Sequence, residues 1–174
     1  MFNNTFICEL DIDVDNDEFI KIINSTDKNE QVRYHRSADD YSYTRSIRSK
    51  FPLLGKIFNI YVSVPFSKFN LHVDAHRKSA LNFPIRGTEE SVTRFYSKKN
   101  FYNNQYNEKF LRYDIYDPLS LEFEFTLSKP TLINNTYPHE MVNGKNYRLV
   151  ISWGLEKDFE SSKHELSQII KHTN

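Results

Sequence analysis

The first part of the chain alternates between apolar and polar residues with the period of a β-strand. Over residues 5–14 every second side chain is apolar, namely Phe6, Cys8, Leu10, Ile12 and Val14. Successive side chains of a strand point to opposite faces, so this segment is predicted to be a half-buried strand. Asp15 and Asp17 then offer caps for a short helix around residues 18–23.

From residue 57 onward, short strand-like runs follow one another with tight connections. The runs fall at 57–64, 69–76, 79–86, 91–97, 121–127, 130–135, 139–143 and 147–155. Strands of this length and spacing are typical of a sandwich or a barrel. After residue 155 the apolar residues recur with helical spacing, which predicts a C-terminal helix packed on the sheet.

Two polar segments interrupt this pattern. Residues 26–50 are charged with weak periodicity and are predicted to form a partly ordered loop, while residues 98–117 are rich in Tyr and Asn. We expect both segments to border the opening of a site. No repeat or linker divides the chain, so we predict one domain over 1–174 with a β core at about 57–155.

Composition narrows the classes of function. Basic and acidic residues number 23 each, so no overall field favours nucleic acid or an anionic membrane, and nucleic-acid binding is not expected. With four Gly and no glycine-rich phosphate loop, a nucleotide-binding fold is disfavoured. Tyr and Phe are abundant, at 11 and 14, which favours β-structure.

The single cysteine and the termini bear on where the protein works. Cys8 alone excludes an internal disulfide framework and a cysteine-rich zinc site, so metal chemistry must use His and carboxylates. The first residues lack a secretory signal pattern, and no apolar run is long enough to cross a membrane. The expectation is a soluble, cytoplasmic protein without membrane contact.

One pair of residues in the second core strand has the spacing of a metal clamp. His72 and Asp74 are two positions apart, so their side chains point to the same face of an extended segment. Ferrous iron in oxygenases is commonly held by two His and one carboxylate. His139, at the start of a later strand, is the candidate for the second His, although His72 alone is also compatible with a surface imidazole.

A basic residue follows on the last predicted strand. If 147–155 is extended, then Arg148, Val150 and Ser152 share a face, and the guanidinium and the hydroxyl can receive a carboxylate. The alternative for Arg148 on its own is an ordinary surface ion pair.

The order of these residues resembles the Fe(II)/2-oxoglutarate-dependent dioxygenases, specifically small single-domain members of the kind encoded by phages and marine microbes. The matching stretches lie within about 57–155 and are His72-Val-Asp74, Ala80 to Ile85, Pro130 to His139 and Arg148 to Ser152. In that family the HxD motif lies on the second core strand, the distal His on the seventh and the Arg on the eighth. The resemblance implies a mainly β fold, the double-stranded β-helix or cupin-like jelly roll, here with flanking N-terminal and C-terminal helices.

The resemblance also implies an enzyme and its cofactors. It would use Fe(II), 2-oxoglutarate and O₂, release succinate and CO₂, and hydroxylate a C–H bond of its substrate. Transferred residue by residue, it makes His72, Asp74 and His139 the iron ligands, and it makes Arg148 the anchor of the distal carboxylate of 2-oxoglutarate. Ser152 is then the predicted partner of Arg148.

Three further positions carry alternatives. Asn82 and Tyr96 lie on predicted strands where related enzymes often contact 2-oxoglutarate or substrate, but core packing or a turn hydrogen bond explains each equally well. His76 would join His72 and Asp74 in a zinc site if the strand stayed extended. The segment 75–78 reads instead as a strand end, either a solvated basic turn or an entrance that attracts an anionic substrate.

Two other function classes stay open. One is a cupin-type isomerase, epimerase or lyase that uses a metal without a keto acid, and the other is a non-catalytic jelly-roll module for binding or structure. The expected partner is a small-molecule or peptide-side-chain substrate, with a nucleobase also compatible, and no pattern indicates an oligomeric state.

Overall fold

The computed structural model describes residues 4–24, 32–74, 76–97, 101–107, 110–115 and 121–173, with the backbone alone at 32, 101–107, 110–115 and 173. The strands in this part are β1 (Ile7–Glu9), β2 (Val32–Ser37), β3 (Ile57–Ser63), β4 (Lys68–Asp74), β5 (Ser79–Arg86), β6 (Val92–Tyr96), β7 (Phe101–Asn107), β8 (Phe110–Ile115), β9 (Leu121–Phe125), β10 (Thr131–Asn134), β11 (His139–Val142) and β12 (Arg148–Leu155). The helices are α1 (Asn16–Asn24), α2 (Ser42–Lys50) and α3 (Phe159–Thr173), and a 3-10 turn covers Ala38–Asp40.

These strands form two antiparallel sheets whose order defines the fold. The first sheet runs β1-β10-β5-β12-β3-β2 and the second runs β7-β8-β4-β11-β6-β9. From β3 to β6 the chain alternates between the two sheets. Strands β7, β8 and β9 stay in the second sheet with β6, and from β9 to β12 the chain alternates again. This is the order of a double-stranded β-helix, so the predicted cupin-like jelly roll with flanking helices is confirmed.

The largest group of buried apolar side chains lies between the first sheet and the helices. The strands contribute residues such as Phe58, Ile60, Leu81, Phe83, Ile151 and Trp153, and the helices contribute Phe19, Ile23, Ile47, Leu166 and Ile170. Trp153 is fully buried, and its indole N–H donates to the Gly55 carbonyl at 3.1 Å. This layer supplies most of the apolar burial that stabilises the described fold.

The other face of the first sheet looks towards the second sheet and is more polar. Along β12 the side chains alternate, so that Leu149, Ile151 and Trp153 join the apolar layer while Arg148 and Ser152 face the space between the sheets. A smaller aromatic cluster closes one end of that space, where Phe6 stacks on Phe95 with ring centroids 5.2 Å apart. The inter-sheet space is therefore only partly filled by apolar side chains.

The N-terminal strand is shorter than the predicted 5–14. Its partner β10 is only four residues long and is preceded by Pro130, which has no N–H to donate. Pairing ends where the Leu10 N–H donates to the Pro130 carbonyl at 2.8 Å. The polar and apolar alternation therefore continues beyond the hydrogen-bonded strand.

The two polar segments that interrupt the strand pattern contain regular structure in their described parts. Within 26–50, β2 pairs with β3 and α2 packs Ile47 into the apolar layer, while residues 26–31 lie outside the described part. Within 98–117, β7 and β8 form a hairpin that extends the second sheet beside β4, and residues 98–100, 108–109 and 116–117 lie outside it. The prediction of a partly ordered loop over 26–50 was wrong in the described part of that segment, because pairing with a neighbouring strand orders a polar sequence that has weak periodicity of its own.

Membrane insertion by a helix finds no support in the described residues, where no helix combines the length and the apolar character that a span requires.

The contribution of α3 to stability can be measured with a buried and an exposed substitution. Leu166 is fully buried, so Leu166→Ala should lower the free energy of unfolding by about 2 to 5 kcal/mol through lost burial and a residual cavity. The exposed Gln168→Ala on the same helix should change it by less than about 0.5 kcal/mol. Urea denaturation of both variants measures this, and equal small effects would show that α3 does not stabilise the sheet.

Candidate functional site

A cavity of about 340 Å³ lies between the two sheets. The first sheet lines it with polar residues from β3, β5 and β12, among them Tyr61, Ser63, Asn82, Arg148 and Ser152. The second sheet contributes Phe69, His72, Thr93, His139 and Met141. A volume of this size is suited to a small molecule held by a few polar groups against apolar walls.

The two histidines of the cavity lie side by side on paired strands. His72 of β4 is directly opposite His139 of β11, and their ring centroids are 4.3 Å apart. The pairing shifts register between His139 and Met141, so β4 carries a bulge that brings Phe69 and His72 to the same wall. Bulges commonly re-aim side chains in this way beside functional sites.

Hydrogen bonds to the backbone orient both imidazole rings. His72 Nδ1 lies 2.8 Å from the Asn70 carbonyl and His139 Nδ1 lies 2.9 Å from the Tyr137 carbonyl. A carbonyl only accepts, so each Nδ1 carries the proton and each Nε2 carries the lone pair. This is how metal-ligating histidines are usually oriented by their outer neighbours.

Burial keeps both rings neutral near pH 7. Burial, together with the neighbouring His139, lowers the pKa of His72 to about 3, and burial also lowers the pKa of His139. Neutral imidazole is the form that binds metal ions.

Asp74 places its two carboxylate oxygens in different environments. Oδ1 lies 3.6 Å from His72 Nε2, while Oδ2 accepts a hydrogen bond from Arg77 Nη2 at 2.6 Å. The carboxylate is 8% exposed, so it is buried next to the guanidinium that balances its charge. One oxygen therefore faces the histidines and the other is held from behind.

Arg77 folds back into the cavity wall and is not part of a solvated turn. Besides Asp74, its guanidinium donates to the Tyr61 hydroxyl at 3.2 Å and to Ser152 Oγ at 3.4 Å. Gly154 leaves the room for this side chain, because a Cβ there would lie 2.5 Å from Arg77 Cδ. Arg77 is thus the member of the 75–78 segment that reaches the site.

His76 is not among the residues that line the cavity. Strand β4 ends at Asp74, residue 75 lies outside the described part, and His76 is exposed. The predicted loss of strand alternation after Asp74 is confirmed, and the alternative zinc set with His76 is not formed.

The predicted ligands are neighbours without forming a closed metal site. Among the described residues, no three His, Cys, Asp or Glu side chains are gathered closely enough to hold an ion. His72 and His139 line the cavity side by side, and Asp74 lies against His72. Their role as iron ligands stays a prediction.

Arg148 is a buried cation for which the described residues provide no acidic partner. It is 7% exposed, and its Nε donates to Ser91 Oγ at 3.1 Å. Burial lowers the pKa of its guanidinium to about 10, so it remains charged at neutral pH. Within the described residues no carboxylate forms an ion pair with it, although a buried charge is costly without one.

Ser152 is not the partner of Arg148. The two residues share a face of β12, as predicted, but four positions of strand separate them by roughly 13 Å. Ser152 Oγ accepts from Arg77 instead, and Ser91, from the turn before β6, takes the predicted place beside Arg148. The sequence correctly predicted that Arg148 and Ser152 share a face of the strand. Their separation along the strand, however, is too large for the two side chains to form a hydrogen bond.

Two asparagines of the cavity have unsatisfied amide atoms. Among the described residues, the buried Asn82 Oδ1 and Asn135 Nδ2 have no hydrogen-bond partner. Buried polar atoms are normally paired, so an acceptor and a donor are available to a polar ligand here. Asn82 was predicted at the site from the sequence, and Asn135 was missed.

Tyr96 lies away from the cavity. On β6 it is adjacent to Phe95, which pairs with His139, so the two side chains point to opposite faces. The Tyr96 hydroxyl donates to Glu140 Oε1 at 2.8 Å, and burial with this hydrogen bond raises the pKa of Tyr96 to about 12. The predicted contact between Tyr96 and 2-oxoglutarate is therefore corrected to a contact with Glu140.

Sequence reasoning missed other cavity residues. Tyr61 lies in a predicted strand and shares a face with the polar residues Asn59 and Ser63. Three polar positions on one face are a signal of a polar cavity. Arg33 lies in the segment that was predicted to be a loop, so its place on β2 beside Tyr61 carried no such signal.

Neither the family models nor the curated proteins contain a match to this sequence. Among solved structures, a vicilin from Corylus avellana is matched at 8% identity over 76% of this chain and 31% of that chain, with a TM-score of 0.43. A vicilin from Capsicum annuum is matched at 8% identity over 75% and 30%, with a TM-score of 0.42. A prolyl-4-hydroxylase from Pseudomonas putida is matched at 10% identity over 88% and 94%, with a TM-score of 0.49.

The chain spans about a third of the length of the two vicilins. At such low identities a likeness concerns shape alone, and the assignment as a jelly roll rests on the strand order described above.

The cost of burying Arg148 can be measured directly. Arg148→Met should raise the free energy of unfolding by about 1 to 3 kcal/mol, because an unpaired buried charge is replaced by an apolar side chain. Ser91 keeps a partner in the variant, since its hydroxyl also donates to the Thr88 carbonyl at 2.8 Å. Urea denaturation measures the change, the exposed Arg86→Met serves as control, and a clear loss of stability would contradict the prediction.

Proposed function

We propose that this protein is an Fe(II)- and 2-oxoglutarate-dependent oxygenase that hydroxylates a C–H bond of a small substrate. The observation that carries the proposal is the buried guanidinium of Arg148, with which no carboxylate of the described residues pairs, in the same cavity as His72 and His139. A structural role gives no reason to bury an unpaired cation there, whereas a carboxylate ligand does.

The donor set suits ferrous iron. Two neutral imidazoles with their lone pairs on Nε2, together with Asp74 Oδ1, provide the two-histidine, one-carboxylate combination of non-haem iron oxygenases. Because Arg77 holds Oδ2, Asp74 would offer a single oxygen to the ion. His72, Asp74 and His139 would thus bind the metal on one side and leave the cavity side to other ligands.

The opposite wall suits a dicarboxylate. Arg148 would bind the distal carboxylate of 2-oxoglutarate through charge-assisted hydrogen bonds, and Ser91 fixes the guanidinium through Nε. Asn135 Nδ2 supplies a further donor that is unpaired among the described residues. These groups would orient the cosubstrate with its keto-acid end towards the histidines.

The remaining walls control access of water. Phe69, Ile133, Met141 and Val150 give the cavity apolar surfaces between its polar groups. When bound, iron with 2-oxoglutarate and O₂ supplies the oxidising power for hydroxylation and releases succinate and CO₂. The chain itself binds, orients and shields the reactants.

Loading with iron and 2-oxoglutarate tests the proposal. Under anaerobic conditions the wild-type protein should bind both and show a weak metal-to-ligand charge-transfer band in the visible. His72→Ala and Asp74→Ala should lose the metal, because two donors hold it less tightly than three. Arg148→Met should keep the metal and weaken 2-oxoglutarate more than tenfold, since a charged hydrogen-bond donor is lost.

Metal content and the metal-to-ligand charge-transfer band are measured on the same samples. Arg86 is exposed, so Arg86→Met serves as a control that removes the same charge away from the cavity. A wild-type protein that contains iron and yet shows no band with 2-oxoglutarate would rule out the oxygenase. Equal loss of metal and cosubstrate in Arg148→Met would contradict the separate roles.

The support of Asp74 by Arg77 gives a second test. Arg77→Gln should weaken metal binding by about 10- to 100-fold, which is the usual effect of removing an outer partner of a ligand. Arg77→Lys retains the charge and should weaken binding less. Titration with Mn(II), monitored by electron paramagnetic resonance, measures the affinity for the metal. Unchanged binding in Arg77→Gln would show that Asp74 needs no support from Arg77.

A further inference from the structure

Among the described residues, the lining of the cavity carries more positive charge than the proposed ligands of the site neutralise. Arg33, Arg77 and Arg148 line the cavity, and among the described residues Asp74 is the carboxylate that pairs with one of them. Fe(II) and 2-oxoglutarate carry opposite charges of equal size. Loading the site with both therefore leaves the positive excess unchanged, and a further anion would be attracted.

Arg33 lines the cavity and is exposed, so it marks the cavity mouth. Neighbouring side chains hold it there. It pairs with Tyr61 across β2 and β3, and its guanidinium carbon lies 5.4 Å from the centre of the Tyr61 ring. Its Nε donates to Asn59 Oδ1 at 2.9 Å, and Asn59 is itself buried and directed by Ser152 through a 3.5 Å contact from Nδ2 to the carbonyl. Arg33 itself is exposed, and its hydrogen bond to this buried amide orients the guanidinium.

The three arginines differ in which of their guanidinium nitrogens already donate hydrogen bonds within the protein. Arg77 directs its terminal nitrogens to Asp74, Tyr61 and Ser152. Arg148 faces the wall proposed for 2-oxoglutarate. Arg33 uses only Nε within the described residues, so both terminal nitrogens are available to an anion in the bidentate geometry that guanidinium favours.

We infer that Arg33, seated on Tyr61, forms a second anion site, which binds a carboxylate or phosphate group of the substrate. The substrate is then a small organic anion, a statement that rests on the proposed oxygenase. The anion site itself depends only on the described side chains and can be tested without metal.

The test uses metal-free protein that carries Arg148→Met. This substitution removes the other cavity arginine that has no carboxylate partner among the described residues. Inorganic phosphate and acetate are titrated separately by calorimetry at low ionic strength, which distinguishes a phosphate from a carboxylate preference. The Arg148→Met protein should bind at least one of them, and adding Arg33→Gln should weaken that binding by about tenfold or more.

The matched control is Arg36→Gln, which removes the same charge from the same strand. Arg36 pairs with Phe58 of the apolar layer and lies over the Tyr34 ring, and it does not line the cavity. Affinity should be unchanged in this control and partly retained in Arg33→Lys. Absence of anion binding in Arg148→Met, or equal binding with and without Arg33, would overturn the inference, whereas absence of the iron band would overturn only the proposed function.

Discussion

The burial of a charged arginine on a central strand is the constraint on which the rest of the structure depends. Arg148 lies on β12 between β5 and β3, where it is 7% exposed, and its one hydrogen-bonded side-chain neighbour in the described residues is Ser91. Keeping that charge buried costs free energy, which apolar burial elsewhere must offset. The offset comes from the same strand, because Leu149, Ile151 and Trp153 alternate with Arg148 and pack beneath the helices. The polar cavity and the apolar layer are thus two faces of one sheet.

This division explains why a jelly roll here needs helices. In a sandwich the main core lies between the sheets, but in this protein that space holds the cavity and only a small aromatic cluster. The outer face of the first sheet becomes the main core, and α1, α2 and α3 cover it with Phe19, Ile47 and Leu166. Residues that bind ligands can then be selected without dismantling the packing that holds the fold, because they project from the opposite side of the same strands.

The sequence predicted the parts of the structure that depend on local periodicity. Strand β5 has the predicted bounds, β12 begins one residue later than predicted, and the apolar C-terminal pattern became α3. The approach of His72 and Asp74 followed from their spacing, since two positions in a strand share a face. Contacts made by folding back or by pairing with a distant strand could not be read in this way. Arg77 reaches Asp74 because Gly154, far away in sequence, leaves room for it, and Arg33 reaches the mouth because β2 adds to β3.

Tyr61 connects the features that the sequence left separate. Its hydroxyl accepts from Arg77, which holds Asp74, and its ring supports the guanidinium of Arg33. One side chain on β3 therefore touches both the arginine that holds the Asp74 carboxylate and the exposed arginine of the cavity lining, Arg33. The ring and the hydroxyl are parts of one rigid side chain, so both guanidinium groups are positioned against the same group. The position of a substrate anion at Arg33 would thereby be set relative to Asp74, which is what a selective oxidation of one C–H bond requires.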